Sequence, residues 1–100
     1  MTGSTAMSKA SLHSTDLEIL NERGLHARAA AKFVKLTETF DAEVEVTRAG
    51  STVSGRSIMG LLMLAASQGT EIHVEASGKQ AEQALAAIAA LVNDKFGEEA

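Results

Sequence analysis

The sequence predicts an α+β fold, with four short strands and three helices in the order β-α-β-β-α-β-α. Three observations predict it. Every strand candidate alternates polar and apolar residues, so each has one wet face. Three segments carry apolar residues at helical spacing, and glycine-containing turns separate the elements. Strands with one wet face favour antiparallel pairing, with all helices covering the other face.

Residues 1–15 are rich in Ser, Thr, Ala and Gly and lack periodicity, which predicts a disordered tail before a domain at 16–100. His13 falls in that tail with no chemistry attached to it, and Met1 and Met7 both stand as candidate starts. Residues 16–20 alternate as a first strand, and residues 21–24 turn. Ala29, Phe33, Leu36 and Phe40, with Ala30 and Val34 beside them, predict a helix from Ala27 to about Phe40. Residues 43–47 alternate, Ala49-Gly50-Ser51 turns, and residues 52–55 return, which is a hairpin signal. Ser57 is a good N-cap for a short second helix ending near Gly69. Residues 71–75 form the fourth strand, with His73 on its polar face between Glu71 and Glu75, where a solvated strand histidine is the plain reading. After Ser77-Gly78 the last helix runs from Lys79 to Phe96, with Ala81, Ala84, Leu85, Ile88, Leu91 and Val92 on one face.

One hundred residues make one small domain, and a 45% apolar content allows a core that must be aliphatic, since there are only three Phe. The absence of cysteine removes disulfides, thiolate metal sites and cysteine catalysis, and suits a cytoplasmic protein. The longest apolar runs, 58–66 and 84–92, are about half of the ~20 residues a membrane span needs. The first residues hold one Lys and no apolar core, unlike a secretory signal. A net charge of −4 without a basic run, and without Tyr or Trp, argues against nucleic acid.

The chemistry gathers at residues 21–34. His26 falls at or beside the N-cap of the first helix, where Ser, Thr, Asp or Asn is normal and neutral imidazole is a poor substitute. A helix N-terminus offers free N–H groups and a partial positive charge, which suits a phosphate. A nucleophilic ring there, the amides of Ala27 and Arg28, and the Arg28 guanidinium make the parts of a phosphoryl acceptor. Gly24 lets the chain turn so that the ring faces solvent. Taken alone, a His-x-Arg is more often a surface histidine beside a solvated charge.

Gly24-Leu25-His26-Ala27-Arg28, followed by Phe33-Val34, resembles the active-site signature of HPr, the histidine phosphocarrier family of the bacterial phosphotransferase system. Ser57-Ile58-Met59-Gly60-Leu61-Leu62-Met63-Leu64-Ala65 is similar to that family's second signature, which opens on a regulatory serine. Gln68-Gly69-Thr70 and the alanine-rich last helix also fit, so the resemblance covers about 17–96. The family usually has proline after the motif arginine; here Ala29 stands there, which a first helical turn accepts. The resemblance implies an open-faced β-sandwich with strand order 1-4-2-3 and three helices on one face. It implies a phosphoryl on His26, taken from enzyme I and passed to enzyme IIA proteins or domains, with no cofactor, no metal and no turnover of its own.

The second helix has more apolar residues than one buried stripe can use. Leu61, Leu64 and Ala65 make an inward face, leaving Ile58, Met59, Leu62 and Met63 for a partner surface, to which Leu25 and Arg56 are expected to add. Cover by a neighbouring helix is the competing expectation for these side chains. The resemblance implies that enzyme I and IIA dock there, and that Ser57 in Arg56-Ser57-Ile58 is a target of an HPr kinase/phosphorylase. A monomer is expected. The alternatives are a nitrogen-branch carrier (NPr-like) without a sugar permease, a small α/β acyl-phosphate hydrolase, and a regulatory binding module working through Ser57.

Overall fold

A computed structural model describes residues 12–100. It contains β1 (Leu12–Glu18), α1 (Ala27–Glu38), β2 (Glu43–Arg48), β3 (Ser51–Ser54), α2 (Ile58–Met63), β4 (Glu71–Ser77) and α3 (Ala81–Asn93), followed by a tight turn at Lys95–Gly97. The four strands form one sheet in the order β1-β4-β2-β3, every pair antiparallel. This is the open-faced sandwich and strand order that the resemblance implied.

The alternation in the strands decides the layers. Val44 and Val46 of β2, and Ile72, Val74 and Ala76 of β4, point to the helices and are buried, while Glu43, Glu45 and Glu71 face water. α3 packs across β1 and β4 and also against α1, and α1 meets α2. Phe33, Leu61, Ile88, Val92 and Phe96 fill the space between them and are fully buried. Burying a side chain of this size is worth about 1.5–3 kcal/mol each, so this aliphatic layer, with its two Phe, dominates the stability.

Several boundaries differ from the sequence reading, four of them for a reason visible in the structure. β1 begins at Leu12, not at residue 16, because residues 12–15 continue the ladder opposite β4, from Leu12↔Ser77 to Thr15↔Val74. Thus the four residues before Asp16, His13 included, belong to the sheet; the rest of the expected tail, 1–11, lies outside the described residues. The β2–β3 turn needs only Ala49 and Gly50, both at positive φ, so Ser51 already pairs with Arg48. α2 stops at Met63 instead of near Gly69, because Ala65 adopts φ 52 and breaks the helix. Ala66, not Ala65, is therefore the alanine that turns inward beside Leu61 and Leu64. α3 ends at Asn93, and Lys95 and Phe96 both take positive φ, which folds Phe96 back into the core.

On the open face His73 lies directly across from Asp16. Its Nδ1 is 2.7 Å from Asp16 Oδ1, and its Nε2 is 3.3 Å from Glu75 Oε2. The bond to Asp16 holds the imidazole pKa above its ordinary 6.5; partial burial opposes this, and Glu75 adds to it. A raised folded pKa adds stability that is complete below the unfolded value and is lost as pH rises through the folded one. As the pair is exposed, at most about 1 kcal/mol is at stake. Urea unfolding at about pH 6 and pH 8 should show the native chain losing more stability on going up than His73→Gln does. Identical losses in both proteins would mean that the pair contributes nothing.

Candidate functional site

Residues 19–26 carry the chain from β1 to α1 and are tied down at both ends. Ile19 N–H donates to Thr70 O at 2.9 Å and Gly69 N–H to Ile19 O at 2.8 Å, which fixes the loop to the entry of β4. Further along, Gly24 takes φ 68, and a Cβ there would sit 2.6 Å from Ala66 O and 3.0 Å from Ser67 Cα. Leu25 N–H donates to the same Ala66 O at 2.9 Å. The turn thus rests on the segment that leaves α2, and only glycine fits it.

His26 follows as the N-cap of α1, with extended φ −78 and ψ −179. Its side chain makes no capping hydrogen bond, and the first helical bond is Ala30 N–H to His26 O at 2.8 Å. Among the described residues the N–H groups of Ala27, Arg28 and Ala29 therefore have no acceptor. These are the orphan donors of a helix start, left open beside an imidazole.

The ring is held from the opposite end of the chain. His26 Nε2 contacts Glu98 Oε2, with one fifth or less of either side chain exposed. The hydrogen bond with His26 lowers the Glu98 pKa, burial opposes this, and Asn21 and the neighbouring Arg23 lower it further. An ionised carboxylate only accepts, so Nε2 carries the proton and donates. Nδ1 is left without a partner among the described residues. Asn21, fully buried, uses both hydrogens of Nδ2, one to Glu98 Oε1 at 3.0 Å and one to Gly24 O at 2.8 Å. Its Oδ1 finds no partner, so the amide's orientation is set by those two acceptors. The tail is fixed further by Lys32 Nζ donating to Phe96 O at 2.6 Å and by Glu22 N–H donating to Ala100 O at 2.6 Å.

A shallow pocket of about 170 Å³ opens beside the ring, lined by Arg23, Leu25, His26, Ala65, Ala66 and Ser67. Arg28, the cation expected from the sequence, is exposed and makes no hydrogen bond to another described residue. Arg23 is a second cation at the site that the sequence reading passed over.

The second region divides. Ser57 Oγ accepts from Gly60 N–H at 2.9 Å and caps α2, as its sequence position suggested. Met59 and Met63 are 68% and 78% exposed and Ile58 is 40% exposed, so these three stand in water. Leu62 is half-buried against the core. Leu25, expected at the docking surface, is instead a core residue at 5% exposure, because the turn that carries His26 to the helix start sends Leu25 in; the ring itself, expected to face solvent, is only 16% exposed. The Arg56 guanidinium donates to Phe40 O and Ala42 O at 3.4 and 3.2 Å, which ties the start of α2 to the loop after α1. Ser57 lies at the far end of α2 from the Ala65-Ala66 segment that touches the histidine loop.

The model of the PTS HPr component phosphorylation site family matches residues 13–94. Phosphocarrier protein HPr of Neisseria meningitidis is 49% identical over 82 residues, covering 82% of this chain and 92% of that protein. Phosphocarrier protein NPr of Escherichia coli is 45% identical over 84 residues, covering 83% and 93%. Among solved structures, HPr-C-His from Thermoanaerobacter tengcongensis superposes with a TM-score of 0.84 at 39% identity, covering 88% of this chain and 99% of that one.

The pinned turn can be tested against a free one. Gly50 also has positive φ, but a Cβ there would meet nothing within 4 Å. Gly24→Ala should cost about 1–3 kcal/mol in urea unfolding, clearly more than Gly50→Ala, because strain and a backbone clash add. Equal costs would show that Ala66 yields freely to the loop.

Proposed function

The chain belongs to the HPr family of phosphotransferase-system phosphocarriers, and on that ground we propose that His26 accepts a phosphoryl group from phosphorylated enzyme I and passes it to enzyme IIA proteins or domains. The observation that carries this reading is an unoccupied helix start beside a ring with one free nitrogen. Nδ1 stands at the same place along its side chain as the oxygen of a capping aspartate, the atom that normally reaches first-turn amides. A phosphoryl on Nδ1 thereby comes within reach of the Ala27 and Arg28 amides, while Arg28, free of other partners among the described residues, swings in to neutralise it. The family's proteins are carriers and not catalysts, so each molecule is loaded and unloaded once per cycle.

Docking falls to Ile58, Met59 and Met63, with Leu62 behind them, in the cytoplasm and as a monomer. No helix among the described residues is long and apolar enough to cross a membrane. Ser57 is the proposed target of an HPr kinase/phosphorylase: a phosphate there meets a helix start while adding up to about −2 charge beside the docking patch. A nitrogen-branch role is the second reading, favoured by the 45% identity to an NPr. Transfer from the loaded chain to purified IIA proteins of the two branches separates the readings.

Phosphoenolpyruvate and enzyme I should give the native chain an acid-labile, base-stable label that is absent from His26→Ala. Label that persists in the variant would reject His26 as acceptor. Ser57→Asp and Met59→Glu should each raise the KM for phosphorylation by enzyme I while circular dichroism stays unchanged, since repulsion at a docked interface costs several kcal/mol. Unchanged uptake at sub-saturating concentration in both variants would remove Ser57 and Met59 from the docking surface.

A further inference from the structure

Glu98 is the one charged side chain hydrogen-bonded to the His26 ring among the described residues, and the fold holds it there from several directions. Asn21 grips its second oxygen, Lys32 grips the carbonyl of Phe96, and the last residue bonds back to Glu22. Two non-glycine residues, Lys95 and Phe96, take positive φ to bring the chain round. Backbone of that kind persists only where the surroundings over-determine it. A solvated terminal glutamate would need none of this.

Resting on the phosphocarrier reading above, we propose that Glu98 is a positioning residue that keeps one proton on Nε2 of His26 through the whole transfer cycle. In the free ring the Nε2–H donates to Glu98 and the Nδ1 lone pair is available. That lone pair forms the N–P bond while the bond from phosphorus to the donor's leaving atom breaks, and the electron pair departs with the donor. The Nε2 proton stays in place, so the phosphorylated ring is an imidazolium whose positive charge is offset by the Glu98 carboxylate. A ring protonated at Nε2 is the better leaving group when the phosphoryl moves on. No proton has to be taken from or returned to solvent in either direction.

A carboxylate serving only to anchor the tail would leave the lifetime of the phosphorylated ring unchanged, and that lifetime is the deciding measurement. Full-length native chain, Glu98→Ala and Glu98→Gln are phosphorylated with phosphoenolpyruvate and enzyme I, freed of both, and followed by phosphorus NMR at neutral pH. Glu98→Gln keeps the size and an accepting oxygen but not the charge. Spontaneous loss of phosphoryl should slow in both variants, by up to about tenfold for each unit of proton affinity lost. Nitrogen NMR of the phosphorylated native chain should show Nε2 protonated. Native decay rates in both variants, or a bare Nε2 in the native phosphoprotein, would overturn the role of Glu98 and leave the carrier reading intact. Failure of the native chain to take up phosphoryl would sink that reading and the inference with it.

Discussion

The turn at Gly24 is where this molecule has least room. Its α-carbon lies so close to Ala66 and Ser67 that a single methyl would strike the backbone of the segment leaving α2. That contact fixes the histidine loop against α2, and through α2 against β3. It sets the angle at which α1 begins, sends Leu25 into the core and leaves His26 at the helix start. An imidazole there caps nothing, so three amides stay open where an ordinary N-cap would have closed at least one. A local loss of helix stability becomes a place for an anion.

The end of the chain closes the site from the other side. Phe96 is fully buried although its backbone is left-handed. Burial of a phenyl ring, about 1.5–3 kcal/mol, is of the same order as the strain of such a residue, about 1–3 kcal/mol. The additional bonds from Lys32 and Glu22 therefore tip the balance toward the folded tail. With the tail in place, Glu98 and Asn21 hold one edge of the ring and leave the other to the amides.

What the sequence made legible follows from periodicity. Strand alternation gave the wet and dry faces of the sheet, and Ser57 announced its cap. His26 announced itself by being wrong for its position. The missing parts share a cause, which is that they depend on contacts distant in the chain. Residues 12–15 read as tail because Ser14 and Thr15 carry little apolar signal; pairing with β4, some 60 residues away, makes them strand. Ala65 is an excellent helix former, yet packing of Ala66 under the loop drives it to positive φ. Glu98 approaches His26 across 72 positions, and no local pattern could join them. Arg56, expected at the docking surface and exposed there, also bonds to two carbonyls of the α1–β2 loop, a contact for which the sequence held no local signal.

The central claim is that the two ring nitrogens of His26 have been given different tasks, Nε2 to the carboxylate and Nδ1 to the phosphoryl. The most direct test is to locate the bond. With nitrogen-15 in the histidines, the chain phosphorylated by enzyme I should show coupling of phosphorus to Nδ1 of His26. Coupling to Nε2 would contradict the account, since that atom could then not be the one that Glu98 holds.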